Sequence, residues 1–469
     1  MAATAQASDR RAAPGTRRPG IALTVIVTCQ LMVVLDATVV NIAIAQIHAS
    51  LHFSTAGLSW VINAYTLTFG GLMLLGGRAG DVFGRRRMLV AGLVVFSAAS
   101  LVGGLAISPA MLVASRAVQG VGAAMAAPST LALIAATFAE GTARNKALAI
   151  FSAVSAGAGS LGLLLGGVLT AEVSWRWVLF INVPIGLAVI VLAPLFVPEP
   201  PRGEGHLDLR GGLLSTTGLA LLIYDFIRIG EGGSSVEVIA GLFAAAVALL
   251  SLFVVVEARS STPLMPLHLI LNRTRGLLYL VMLSISAVVF GMFFFISQYA
   301  QAALHYSALR TGLAFLPLTI AIFALSRIMP QVLARTGPRL PLLCGTALIA
   351  MSLAWLSQTS AAQGYLGGLF GPFLLFGIGI GLSYVPIGAT ILKGVDRDDS
   401  GSASGMYQAM QQIGGSVGLA VLVSIAAGHG QSAALEGAAG FAVLAFVLTA
   451  LAFSLITATK TSSLIAARW

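Results

Sequence analysis

Apolar runs of about twenty residues, separated by short polar connections, repeat along the whole chain. A helix that crosses a membrane needs about 20 mostly apolar residues. Windows of that length fall at 21–46, 57–77, 88–107, 110–138, 143–170, 177–197, 209–229, 236–256, 274–301, 310–333, 340–359, 365–392, 401–428 and 437–458, which predicts fourteen spans. The seventh is the weakest, because Asp225 and Arg228 interrupt its end. Composition agrees with the pattern: 58% of the 469 residues are hydrophobic and 9% charged, where a soluble domain carries about 25% charged residues. The expected fold class is therefore an all-α polytopic membrane protein. The 53 glycines suit helices packed closely in lipid, where small residues let backbones approach. Cys29 and Cys344 lie in apolar runs far apart and read as small buried hydrophobes.

The polar connections fix the orientation. With the N-terminus inside, 21 of the 26 Lys and Arg residues fall on the inner side, three fall outside, and Arg116 and Arg327 lie within spans. That asymmetry is the positive-inside signature, and an even span count puts both termini in the cytoplasm. The net charge of +10 thus lies against anionic lipid and calls for no nucleic acid. The run after the basic segment 1–20 is too long for a signal peptide and holds Asp36, so it reads as a retained first span behind a disordered tail. Longer polar connections bracket the seventh and eighth spans. The expected organisation is a tail at 1–20, a six-helix bundle at 21–197, a linker with two extra helices at 198–273, a second six-helix bundle at 274–458 and a cytoplasmic tail at 459–469. Faint correspondences between the outer groups, such as "GGRAGDVFGRRRML" with "ARTGPRLPLL", suggest parallel repeats, the architecture of transporters that rock two halves about a central site.

Asp36, in "LMVVLDATVVNIAI", is an acid inside the first span. A charge at the bilayer centre costs roughly 2.5–3.5 kcal/mol. At a rise of 1.5 Å per residue, Asp36 lies roughly 12 Å below the outer surface, and Arg116, in "LVASRAVQGVGAA" of the fourth span, lies roughly 9 Å deep. The two depths agree, so the charges are expected to face each other along a polar pathway. Two readings stay open: a fixed structural ion pair, or an acid that takes up and releases a proton.

Two further stretches stand out. In "GGRAGDVFGRRRML", Gly77, Gly80 and Gly84 would permit a tight turn. Asp81 would sit near the start of the third span, where the helix dipole favours a carboxylate, and Arg85, Arg86 and Arg87 would sit at the inner surface. The arginines act either as a topology signal or as part of a conformational latch. In "SAVSAGAGSLGLLLGG", Gly162, Gly166 and Gly167 fall at spacings that put small residues on helix faces for close packing, with bending as an added possibility.

The remaining polar residues divide simply. Asp225 and Arg228, three apart on one helix, are expected to form a local ion pair, and Arg327 to snorkel. Asn41, Gln119, Gln298, Tyr299, Tyr384, Tyr407 and Gln411 are candidates to line a substrate cavity, with interhelical hydrogen bonding as the alternative for each. There is no P-loop, no metal spacing among the six histidines and no enzyme signature. No cofactor and no metal are expected.

Taken together, "LDATVVNIAI", "GRAGDVFGRRRML", "LVASRAVQGVGAA" and "WRWVLFINVPIG" resemble the motifs of the major facilitator superfamily, and within it the fourteen-span drug:proton antiporter family. The resemblance implies two six-helix bundles joined by a helix pair, export of small molecules driven by proton entry, and a part for Asp36 and Arg116 in coupling. One departure bears on direction: the family's fifth-span motif carries a proline after its first glycine, where this chain has Leu163. The expectation is a proton-coupled exporter of hydrophobic or amphipathic compounds such as antibiotics, sufficient as a monomer, with small-molecule substrate, protons and membrane lipid as its partners. The alternative is a proton-coupled uptake symporter for a small metabolite.

Overall fold

The structure is a computed structural model and describes residues 18–466, apart from 55–56, 139–141, 201–207, 233, 261–262, 264, 266, 394 and 396–399. The tail predicted at 1–20 lies mostly outside the described residues, as do Arg202, Arg397 and Arg468.

Among the described residues every regular element is helical. The spans in chain order are α1 (Pro19–Leu51), α2 (Trp60–Phe83), α3 (Arg85–Gly104), α4 (Pro109–Thr137), α5 (Thr142–Glu172), α6 (Trp177–Phe180) continued by α7 (Asn182–Phe196), α8 (Leu209–Glu231) and α9 (Val236–Arg259). After the short α10 (Leu267–Leu271) come α11 (Arg273–Ala302), α12 (Ala308–Ala314) continued by α13 (Leu316–Thr336), α14 (Arg339–Ser357), α15 (Gly371–Leu392), α16 (Ser400–His429) and α17 (Gln431–Ala466). Thirteen of these spans are long and apolar enough to cross a membrane by their described residues alone, and α5 adds a shorter apolar stretch at Leu161–Glu172.

Four helices, α4, α8, α11 and α12, start where the chain supplies a side-chain acceptor for their free N–H groups. Ser108 accepts from the Met111 N–H at 3.3 Å, Asp208 from Gly211 at 2.9 Å, Asn272 from Arg275 at 3.1 Å and Ser307 from Arg310 at 3.2 Å. The helices of α1 to α7 pack chiefly on one another, as do α11 to α17; α8 and α9 form a pair that touches the rest through α8, against α2 and α16. α9 is nearly bare, with Val238, Phe243, Val247 and Leu252 exposed, as expected of a helix whose solvent is lipid. Two main seams join the large groups, one between α2 and α16 and one between α5 and α12–α13, with a smaller contact of α1 on α11 and α12.

Glycine sets the closeness of the helix crossings. A Cβ at Gly122 would sit 2.6 Å from the Gly92 carbonyl oxygen of α3, and one at Gly92 would sit 2.6 Å from that of Gly122.

Several expectations need correction. The last helix runs on to Ala466, past the limit set at 458. Cys344 is exposed on α14 rather than buried; only Cys29 is in the core. Asp225 and Arg228 form no ion pair. One Asp225 carboxylate oxygen and the Arg228 Nε are buried without partners, and the guanidinium lies 5.9 Å from the Tyr224 ring centre. The i,i+3 spacing did place the two side chains on adjoining faces, but the arginine turns to the aromatic ring instead.

Because the Gly122 contacts are with backbone, which cannot rotate away, Gly122→Ala is expected to destabilise the protein by about 1–3 kcal/mol. Gly241→Ala, at a position with nothing within 4 Å of an added Cβ, should leave stability unchanged. Thermal unfolding of the detergent-solubilised variants checks both.

Candidate functional site: a buried acid and its donors

Asp36 lies in the middle of α1 and is 0% exposed. Its carboxylate is met by three side chains from two other helices. Arg116 Nη1 of α4 donates to Oδ2 at 2.5 Å. Asn182 Nδ2, from the first residue of α7, donates to Oδ1 at 2.7 Å, and Gln119 Nε2 of α4 donates to the same oxygen at 3.2 Å. Gln119 also donates to Ser100 Oγ of α3 at 2.5 Å and accepts from Arg116 Nη1 at 2.9 Å.

Arg116, 1% exposed, is held on its other sides by α2. Its Nε donates to the Val61 carbonyl at 3.0 Å, and its guanidinium lies 4.4 Å from the centre of the Tyr65 ring. The Tyr65 hydroxyl donates back to the Val33 carbonyl of α1 at 3.3 Å. Charge-assisted bonds of this kind are the strong ones, and here they offset the cost of keeping both charges out of water.

Four local features bring these groups together. Arg116 and Gln119 are three apart on α4 and so share a face. Asn182 opens α7 directly after Ile181, whose backbone is helical, and lies fully buried. The corner before it is pinned by Arg176, which donates to the Gly104 and Ala106 carbonyls at 2.9 and 2.6 Å and stacks on Trp175 at 4.6 Å. Gly162 and Gly166 of α5 face Thr38 and Val39, the neighbours of Asp36 on α1. α5 is an unbroken helix through Leu163, whose side chain is 2% exposed. Gly167 faces the opposite way, onto Ala308 and Leu309 of α12, so it belongs to the seam between the two groups.

The pairing expected of Asp36 and Arg116 is present, but its surroundings differ from a polar pathway: it is enclosed within the first helix group. Gln119, expected in a substrate cavity, belongs to this cluster. Asn182, Ser100 and Tyr65 were not singled out from the sequence; only Asn182 carried a signal, as a lone amide inside the apolar run "WRWVLFINVPIG".

The arginine-rich turn also reads differently. Asp81 is in the last turn of α2, not at the start of α3, and pairs with Arg85 Nη2 at 2.5 Å. The carboxylate at the α3 N-terminus is Glu199, which accepts from the Arg86 and Arg87 N–H groups at 3.0 and 3.2 Å and lies 3.6 Å from Arg86 Nε. Only Gly84, at φ 109°, needs a glycine conformation, and an added Cβ there would also strike the Glu199 carboxylate at 2.8 Å. Gly77 and Gly80 are helical; Gly80 leaves room for the Arg85 stem and Gly77 lies beside Pro128. The ion pairs of this turn stay within the first helix group.

The other cavity candidates separate. The Tyr407 hydroxyl donates to the Tyr384 carbonyl at 3.3 Å, and the Tyr384 side chain lies beside Gln411 and Ser286, so α11, α15 and α16 bring these together. Asn41 bonds its own helix, donating to the Ala37 carbonyl at 3.2 Å. Gln298 and Tyr299 are half-buried near the end of α11, the Tyr299 hydroxyl unpartnered. Neighbouring Gln301 bridges the groups, donating to the Ile42 carbonyl of α1 at 3.1 Å.

A helical membrane protein of two helix groups, with a fully buried acid–guanidinium pair in the first, is the architecture of a secondary transporter. The chain belongs to the Major Facilitator Superfamily, whose sequence profile matches residues 26–419. It is therefore a multi-pass membrane transporter and not an enzyme. It is 39% identical to the cephamycin export protein CmcT of Amycolatopsis lactamdurans over 93% of this chain and 91% of that one. It is 40% identical to the puromycin resistance protein pur8 of Streptomyces alboniger, over 91% and 89%. It is 34% identical to a lincomycin resistance protein of Streptomyces lincolnensis, over 97% and 95%. Among solved structures, a POT family transporter in complex with 5-aminolevulinic acid shares the fold with a TM-score of 0.68 at 14% identity, covering 94% of this chain and 96% of that one.

Removing one partner of a buried ion pair leaves the other charge uncompensated, at a cost of about 3–5 kcal/mol. Arg116→Ala is expected to lower the yield and the melting temperature sharply. The double variant Asp36→Asn, Arg116→Ala should recover much of the loss. A double-mutant cycle in melting temperature and membrane yield reads this coupling.

Proposed function

We propose that this protein exports hydrophobic or amphipathic small molecules, antibiotics among them, in exchange for protons. The export assignment is supported by relatives at 34–40% identity whose names specify antibiotic export or resistance. Proton exchange is supported by the one observation a passive helix bundle does not need, a carboxylate 0% exposed within a membrane-spanning helix.

The hydrogen-bond inventory of Asp36 carries the coupling. Oδ1 accepts from Asn182 and Gln119, and Oδ2 accepts from Arg116. A carboxylic acid would turn one oxygen into a donor, and either oxygen already faces donors. Proton uptake therefore requires the cluster to rearrange, and rearrangement of α1, α4 and α7 against one another is the conformational lever. Arg116 and Asp36 are the coupling pair, Gln119 and Asn182 hold the carboxylate, and the Asp81–Arg85 and Glu199–Arg86 contacts act as a latch on the inner side. Tyr384, Tyr407 and Gln411 are the strongest candidates to touch substrate.

The organisation follows the same reading. Residues 21–197 and 274–458 rock against each other about the α2–α16 and α5–α12 seams, with 198–273 contributing the extra helix pair. Both termini are cytoplasmic, and one copy is sufficient.

Asp36→Asn should still reach the membrane, at lower yield and melting temperature because Arg116 loses its counter-charge, and the inserted protein, compared at equal amount, should lose proton-driven transport to background. The measurement is substrate-dependent proton release from acid-loaded inside-out vesicles, with a growth-inhibition panel of chemically diverse antibiotics to name the substrate. Undiminished coupling in this variant rejects the role of Asp36, and co-movement of proton and substrate in one direction points to uptake instead.

A further inference from the structure

The mechanism leaves unused a crevice at the arginine-rich end of the second helix group. A cavity of about 430 Å³ lies between α10, the first turns of α11 and the adjoining part of α16. Ile270, Leu277, Leu280 and Met410 give it apolar walls, Gly276 packs against the Ile270 carbonyl, and the exposed Arg273 completes the lining with Tyr279.

The crevice has a structural origin. From the middle outward α11 and α16 are in close contact, since a Cβ at Gly414 would lie 2.7 Å from the Leu283 Cα and one at Gly415 would lie 2.7 Å from the Phe290 ring. Nearer the arginine-rich end Gly405 of α16 faces Leu74 of α2 and Met410 lines the crevice, while the Tyr279 hydroxyl still ties α11 to α16 by donating to the Ala403 carbonyl at 3.2 Å. α8 meets α16 through Ser424 near its far end, then leans on α2 through Thr216 and Gly71. Leu280 is left 48% exposed.

The two arginines of this turn are treated differently. Arg275 is tied down, its Nε donating to the Ile391 carbonyl at 3.0 Å. Arg273 is exposed and makes no hydrogen bond or ion pair among the described residues. A long basic side chain beside an apolar slot, at the end of a membrane span, has the two halves needed to bind a lipid. The stem follows the acyl region while the guanidinium reaches the headgroup, and basic pockets between spans on the cytoplasmic side hold anionic headgroups.

We propose that this crevice binds one anionic phospholipid of the inner leaflet, with its phosphate on Arg273 and an acyl chain along Leu277, Leu280 and Met410. The site rests on the cytoplasmic orientation of this end and not on the direction or coupling of transport.

Native mass spectrometry of the purified full-length protein, titrated with phosphatidylglycerol and with phosphatidylcholine of the same chains, tests the proposal. The expected result is one phosphatidylglycerol bound about fivefold more tightly than phosphatidylcholine, the preference worth one basic group at an anionic surface. Arg273→Gln should erase that preference, and Met410→Trp, which fills the slot, should weaken both lipids. Free glycerol phosphate should neither compete nor raise the melting temperature. Equal affinity of the two lipids for the unaltered protein overturns the proposal even if a variant fails to fold. So does phosphatidylglycerol binding unchanged in both variants, or competition by glycerol phosphate. Because the readout is lipid binding, a negative result leaves the efflux assignment standing, and a failed transport assay leaves the lipid site standing.

Discussion

The first helix group is organised around one ion pair that lipid cannot solvate. Asp36 and Arg116 are each expensive alone in a bilayer, and the cluster they form with Gln119 joins side chains or carbonyls from five helices: α1, α2, α3, α4 and α7. In a medium without a hydrophobic force between helices, such directional contacts specify which helix lies beside which. The glycines do the complementary work. Gly162 and Gly166 let α5 lie directly on α1 beside the acid, and Gly92 and Gly122 let α3 lie on α4. Polar bonds choose the neighbours, and the absence of side chains sets the distance.

The same two devices recur where the groups meet, with a different balance. At the α2–α16 seam the Thr66 and Ser416 hydroxyls bond each other, while Gly70 stands against Gln412. Asn63 on α2 and the Gln412 Oε1 are buried there or nearby without partners. At the α5–α12 seam, Gly167 and Gly312 meet backbone, and among the described residues no ion pair crosses. The three ion pairs among the described residues all lie within the first group. On the proposed reading, a motion of one group against the other breaks none of these pairs.

Much of this was legible in the sequence because lipid is a severe solvent. Twenty apolar residues have few alternatives to a spanning helix, and an acid at Asp36 with a base at Arg116 at matching depth leaves few alternatives to pairing. What sequence could not supply was direction around the helix axis and the identity of quiet partners. Ser100 and Tyr65 are common residues in membrane helices and became visible only when α3 and α2 were placed. Asp81 is expected near the start of α3 because it precedes the arginines, yet the carboxylate there is Glu199, more than a hundred positions later and brought there by the return of α7. Asp225 and Arg228 have the right spacing for a pair and do not form one, since spacing fixes a shared face but not the rotamers.

Leu163 sharpens where the conformational change resides. A proline at this place would remove a backbone hydrogen bond and soften α5. Here α5 is continuous and its Leu163 carbonyl lies 2.6 Å from where a Cβ on Gly312 would be. A helix that stays rigid transmits displacement rather than absorbing it. Because α5 touches α1 through Gly162 and α12 through Gly167, the proposed rearrangement of the Asp36 cluster would hand any shift of α1 straight to the seam. On the proposed reading, proton uptake and the opening of the two groups are joined by a stiff element, and the hinge of the motion lies in the glycine-lined contacts on either side of it.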